Sequence, residues 1–251
     1  MNLTGQNIIV LDLETANSAD DCRHCGQPID HHDMAFRYCG ASPLHGDPTR
    51  FEALGWHNKP ALGLSIGCYY DYRDSRMHWF DVHSLEATVR YFVETQPLLV
   101  SFNGIGFDFV LMRGLLRRRA EAMTAAQEAG ECQLDAEELI ALCNTFKAHC
   151  AMSYDLLDQI WRQDPDNKFQ KGNSLGAISQ ASGLGAKLSH GAQAPRDWRD
   201  GQYAKVLNYC QDDVLKTKAL FEMVCAGQPI YRGNGLPITL PIPAAFAALE
   251  D

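Results

Sequence analysis
Apolar residues run unbroken from Ile8 to Leu11 and then alternate with acids through Asp12-Leu13-Glu14-Thr15. A β-branched run of this kind suits a strand covered on both faces. Side chains alternate along a strand, so Asp12 and Glu14 point to one side while Leu11 and Leu13 point to the other. The pattern then lapses. From Ala16 to about Lys59 the chain is rich in Asp, His, Gly and Pro, has no sustained period, and reads as an insertion. Order returns with ALGLSIGCYYDY from Ala61 and RMHWFDV from Arg76, two strand-like segments around the hairpin signal Arg73-Asp74-Ser75.

Helical spacing follows in SLEATVRYFVET, with Leu85, Val89 and Phe92 on one face and Ser84 as the N-cap. PLLVSFNG after it is a short buried strand, and FDFVLMRGLLRRR a helix with Phe107, Leu111 and Leu115 inward and a basic end at Arg113 and Arg117 to Arg119. Residues 120–144 are Ala- and Glu-rich and helical, broken near Gly130. Cys150 to Asp155 forms an edge strand leading into a helix through Leu156, Leu157 and Ile160. SLGAISQASGLG is a helix capped by Ser174 and closed by Gly183. From about Arg199 a long helix places Val206, Tyr209, Asp213, Lys216 and Leu220 along one side, with Asp212 about 100° away as a solvated charge. The tail, about 227–251, holds a Gly-Asn-Gly turn between extended pieces, a hairpin or strap. With no internal repeat or low-complexity linker, residues 1–251 read as one domain carrying an insertion at about 16–59.

Composition narrows the class. Of 251 residues, 46% are hydrophobic and 21% charged, ordinary for a globular chain that buries a real core. No apolar run approaches the ~18–20 residues of a membrane span, and the N-terminus lacks a signal-peptide pattern. Nine cysteines fit a reducing cytoplasm better than a disulfide framework. A net charge of −9 argues against coating nucleic acid by bulk electrostatics, but not against an acidic metal site. Within the insertion, Cys22 and Cys25 form Cys-x-x-Cys-Gly, the shape of a zinc knuckle, and Cys39 with His45 would complete four ligands. His24, His31 and His32 are competing donors and a second Cys-x-x-Cys is missing, so structural zinc and reduced, unliganded thiols both stay open.

Three separated stretches carry chemistry. The first is Asp12 with Glu14, two carboxylates about 7 Å apart on one strand face, costly unless a cation sits between them. The second is Asn103-Gly104-Ile105-Gly106-Phe107-Asp108, where a buried strand turns sharply and opens a helix with an acid in its first turn. The third is Tyr209-Cys210-Gln211-Asp212-Asp213, in which Tyr209 and Asp213, four apart, share a helix face.

With VLDLET, SFNGIGFDFVLM and YCQDDVLKT in this order, the sequence resembles the DEDD exonucleases of the ribonuclease H-like superfamily. The closer resemblance is to their tyrosine-containing branch, related to the proofreading domains of family-B DNA polymerases. It covers roughly 7–15 and 63–225 and leaves out the Cys/His insertion. It implies an α/β fold, a ribonuclease H-like mixed five-stranded sheet with helices on both faces, and the site at the end of the central strand. It further implies that Asp12, Glu14, Asp108 and Asp213 hold two Mg²⁺ or Mn²⁺ ions, with Tyr209 orienting the attacking water. Thr15, Asn103 and Phe107 would contact the terminal nucleotide. Arg113, Arg117 to Arg119, Lys168, Lys171 and Lys187 are further phosphate candidates. The expectation is a cytoplasmic 3′→5′ exonuclease acting on the 3′ ends of single-stranded nucleic acid, DNA over RNA, and releasing nucleoside 5′-monophosphates. A polymerase or helicase is a conceivable partner, and no membrane is involved. The alternatives are an RNA-trimming enzyme of the same fold and a catalytically silent binding or scaffold module. Because the insertion leaves directly from the acidic strand, its root is expected to shape substrate access.

Overall fold
The computed structural model describes residues 2–23, 38–39, 49–50, 53–129, 136–168, 172–188 and 192–247. In it β1 (Ile8–Thr15) is followed by the small pair β2 (Tyr38–Cys39) and β3 (Thr49–Arg50) and the one-turn helix α1 (Lys59–Leu62). The hairpin β4 (Leu64–Asp71) and β5 (Arg76–Phe80) comes next, then α2 (Leu85–Thr95), β6 (Leu98–Ser101), α3 (Asp108–Glu128) and α4 (Ala136–Cys150). β7 (Tyr154–Asp155) leads through α5 (Leu156–Gln163) to α6 (Leu175–Ala181), α7 (Ala194–Arg199) and α8 (Tyr203–Cys225). The tail forms the hairpin β8 (Ile230–Tyr231) and β9 (Pro237–Ile238), then α9 (Ala244–Ala247).

The main sheet runs β5-β4-β1-β6-β7, so β1 takes the central place its unbroken apolar run demands. β4 and β5 are antiparallel to their neighbours, while β6 and β7 run parallel. This is the α/β fold with a mixed five-stranded sheet that the sequence resemblance implies. The alternation along β1 splits its side chains between two cores. Ile9, Leu11 and Leu13 join Val89, Phe92, Phe109, Met112 and Phe146 from α2, α3 and α4. Ile8 and Val10 join Ile160, Ile178, Val206, Val214 and Phe221 from α5, α6 and α8. Asp12 and Glu14 continue the second face, the one α8 covers.

Several local readings shift. Lys59–Leu62 is helix rather than the start of a strand, because Pro60 has no N–H for a ladder and its φ suits a first helical turn. Ser84 occupies the N-cap position of α2 without capping it. Asp81 organises that turn instead, accepting from the His83 and Ser84 amides at 3.0 and 2.9 Å and from the Ser84 hydroxyl at 2.8 Å. α3 starts at Asp108, which leaves Phe107 at its N-cap and turns the buried face to Asp108, Phe109, Leu111, Met112 and Leu116; Leu115 is only half-buried. Cys150 closes α4, so the edge strand is Tyr154–Asp155 alone. The long helix expected from about Arg199 is α8, Tyr203–Cys225, and a separate short helix, α7, precedes it across Gly201 with φ 73°. Among the described residues no helix is long and apolar enough to cross a membrane.

Candidate active site
β1 runs past its parallel neighbour. The pairing of β1 with β6 ends at Val10 with Val100, while β4 accompanies β1 to Thr15 through an irregularity between Glu14 and Thr15. Bulges of this kind re-aim side chains at strand ends. The overshoot opens a cleft of about 280 Å³ beside the β1 terminus. Asp12, Leu13, Glu14, Thr15, Trp56, Phe102, Asn103, Phe107, Asp108, Lys187 and Asp213 line it.

α8 lies against the Asp12 face of the sheet, where the Cys210 thiol donates to the Asp12 carbonyl at 3.3 Å. One turn of α8 then brings Asp213 over the strand. Oxygens of Asp12, Glu14 and Asp213 all lie within 4.8 Å of one another. Asp108 reaches the same cleft from the first turn of α3, where the helix dipole favours an anion, and its carboxylate accepts from the Leu13 amide. It stands outside the tight triad, so the structure brings three predicted ligands into one cluster and sets the fourth beside it.

Four acids this close disfavour one another's ionisation. Burial, then the charges of Asp213, Asp108 and Glu14, push the Asp12 carboxyl well above the ordinary range. Burial and then Asp213 push Glu14 up to about 8. Burial and then Asp155 push Asp108 up to about 7. Asp213 also rises through burial, restrained by Lys187.

Lys187, named above only among the phosphate candidates, pairs directly with Asp213 Oδ2. Burial works against its charge, yet Asp213, Asp12 and Glu14 hold the ammonium above its usual range. Two features place it. Gly176 lacks the Cβ that would come within 3.0 Å of the Lys187 stem. Asp212, expected to be a solvated charge, accepts from the Leu188 amide at 3.2 Å and pairs with Lys216, so it ties the Lys187 segment to α8. The glycines at 183 and 185 mark a tight loop in the sequence, but nothing there says where its lysine points.

The turn between β6 and α3 hangs on Asp155. Its carboxylate accepts from the Asn103 and Ile105 amides at 3.0 and 2.9 Å and from the Ser101 hydroxyl at 3.3 Å. It also caps α5 through the Leu157 and Asp158 amides. That network holds Asn103 at φ 72° and fixes the wall that carries Phe107.

Tyr209 shares the helix face of Asp213 but is not among the residues lining the cleft. It is half-buried with the Lys205 ammonium 5.7 Å from its ring centroid. Against the pull of burial, Lys205, Gln193 and the Tyr209 hydroxyl hold the Asp197 carboxyl below its ordinary range. Among the basic residues, Arg117 pairs with Glu121, Arg119 with Glu86, and Arg118 donates to Asn58 at 3.0 Å. Of the zinc candidates, Cys22 is buried and its backbone bridges to Ala53. Cys39 lies in β2, and Cys25 and His45 lie outside the described residues.

The donors fit a hard divalent cation: all are carboxylate oxygens, mutually repelling, and Asp213 Oδ1 is buried with no hydrogen-bond partner among the described residues. A family model described as a predicted 3′-5′ exonuclease related to the exonuclease domain of PolB matches residues 80–227, more than half of the chain. The match includes Asp108, Asp155, Lys187, Tyr209 and Asp213 and begins after Asp12, Glu14 and Trp56. No curated protein and no solved structure gives a significant match.

Proposed function
We propose, from the premise that the chain belongs to the family of predicted 3′-5′ exonucleases related to the exonuclease domain of PolB, that it removes nucleotides from the 3′ end of single-stranded nucleic acid, DNA in preference to RNA. The observation that carries this reading is the convergence of Asp12, Glu14 and Asp213 in an open cleft, with one Asp213 oxygen lacking a partner among the described residues. A cluster of buried acids serves no packing purpose, since each raises the cost of ionising the others.

Asp12, Glu14, Asp108 and Asp213 would hold two Mg²⁺ or Mn²⁺ ions. Bound there, such ions supply a more acidic water and offset the charge that develops on phosphate and leaving oxygen. Water adds to the phosphorus of the last phosphodiester, the bond to the 3′-oxygen breaks, and that oxygen takes up a proton. The products are a strand shortened by one and a nucleoside 5′-monophosphate. Thr15, Asn103 and Phe107, which line the cleft, contact the terminal nucleotide. Lys187 offsets one carboxylate and presents its ammonium where a phosphate would enter. Tyr209, on the Asp213 face of α8, orients the attacking water once its hydroxyl turns from Asp197 into the cleft.

The test incubates 5′-labelled single-stranded DNA and RNA with Mg²⁺ or Mn²⁺, using the unmodified protein, Asp12→Ala and Asp213→Ala. A one-nucleotide ladder, faster on DNA and lost in both variants, is the expected result. Internal cuts, or binding without cleavage, would overturn it, and faster RNA trimming would reassign the substrate. For Cys22, Cys25, Cys39 and His45 the two readings are a structural zinc ion and reduced, unliganded thiols, and purified protein that carries no zinc refutes the first.

A further inference from the structure
Trp56 belongs to the insertion, yet it lines the cleft with the carboxylates. Its side chain is 63% exposed, although a large apolar ring gains most from burial. Its ring centroid lies 6.1 Å from that of Phe107, with the planes 60° apart, so the two rings form a corner over the cleft. The turn that carries it is held firmly. Gly55, at φ 72°, donates to the Ala19 carbonyl at 2.8 Å, and Leu54 donates to the Asp21 carbonyl at 2.8 Å. Asp21 is itself buried, pairs with Arg199 of α7, and accepts from the Ser18 amide at 2.6 Å. On the far side, Arg118 of α3 holds the Asn58 side chain. The two ends of the excursion are also joined, Asn17 donating to the Leu62 carbonyl at 2.8 Å and Ala16 to that of Gly63 at 3.3 Å. The turn that carries the indole is fixed to α3, α7 and the strand end, and the ring itself rests beside Phe107, so the exposed face is presented from an ordered support.

We propose that Trp56 is a stacking residue for the unpaired base of the 3′-terminal nucleotide, supplied to the cleft by the insertion. This rests on the nuclease reading above and names what selects single strands. The acids at the strand end bind the phosphate side of the nucleotide through cations, which leaves the base to find an apolar partner at the cleft mouth. A planar base matches the free indole face, and a paired base could not reach it without leaving its helix. Stacking of this kind tolerates every base because each has a π-face, so Trp56 confers strandedness with little sequence preference.

Base–aromatic contacts are typically worth about 5- to 150-fold in binding per base. The experiment compares kcat/KM on single-stranded oligonucleotides that end in a normal nucleotide or in one lacking its base, for the unmodified protein, Trp56→Phe and Trp56→Ala. The unmodified protein should favour the normal end by at least about fivefold. That ratio should largely survive in Trp56→Phe and collapse toward one in Trp56→Ala. A ratio equal in all three proteins overturns the proposal, because a merely structural tryptophan would lower both substrates together. If no oligonucleotide is cut at all, the hydrolase reading fails instead. Stacking is then read separately from tryptophan fluorescence in an Asp12→Asn protein. Quenching by the normal oligonucleotide that is absent with the abasic one, and absent in Asp12→Asn/Trp56→Phe, upholds it, and quenching that persists in the double variant refutes it.

Discussion

Glu14→Gln should stabilise the metal-free protein, and increasingly so as pH rises. In the folded chain burial and then Asp213 push the Glu14 carboxyl from an ordinary 4.5 up to about 8. The folded state therefore keeps a proton that the unfolded state gives up, and stability attributable to this group is lost as pH rises from the unfolded toward the folded value. Between pH 5 and pH 8 the loss from Glu14 alone comes to about 3 kcal/mol by linkage. For a chain of this size that corresponds to about 6–12 °C in Tm. Glutamine keeps the shape and the buried position while removing the charge. Thermal unfolding by circular dichroism, in chelator at pH 5, 6, 7 and 8, should show the Tm of the unmodified protein falling against that of Glu14→Gln. Titrating groups outside the cluster are common to both proteins and cancel in the difference, while Asp12, relieved of the Glu14 charge, adds to the gap in the same direction. Saturating Mn²⁺ should reverse the order, since the unmodified protein then offers the metal a carboxylate charge that the amide of the variant lacks. Parallel Tm curves across this range, or a gap that narrows as pH rises, would refute the argument that Glu14 sits in a repelling cluster.

Lys187→Ala removes the cation paired with buried Asp213 and should cost about 3 kcal/mol in chelator, measured by urea unfolding, with the deficit shrinking under saturating Mn²⁺. Asp155→Ala strips the acceptor from the Asn103, Ile105, Leu157 and Asp158 amides and should destabilise by about 2–4 kcal/mol, with hydrogen exchange rising first at Asn103 and Ile105. Gly67→Ala places a Cβ 2.3 Å from Phe80 and 2.7 Å from Leu13, so it should cost about 1–3 kcal/mol and weaken Mn²⁺ binding by calorimetry, because Leu13 sits between the two strand acids.

The periodicity of IIVLDLET was enough to place a strand between two cores and to set Asp12 and Glu14 on a common face, because a period of two admits no other arrangement. The four-residue spacing of Tyr209 and Asp213 likewise put them on one helix face, and the structure turns Asp213 of that face to the strand end. Local chemistry that depended on neighbours was less legible. Ser84 looked like a cap, but its hydroxyl is engaged by Asp81 three residues earlier and makes no cap hydrogen bond to the helix. Phe107 looked like the first inward position of a helix that in fact opens one residue later.

What only the tertiary structure decided lies between residues far apart in the chain. Lys187 meets Asp213 because Gly176 leaves room for its stem and Asp212 holds the next amide. Trp56 meets Phe107 because the two ends of the insertion are joined at the tip of β1 and pinned to α3 and α7. Tyr209 shares its helix face with Asp213, yet its hydroxyl lies toward Asp197 of another helix. A sequence alone states which side chains lie on one face, since backbone geometry repeats. It does not state which faces meet, because that follows from how volumes pack and where a buried charge finds its partner.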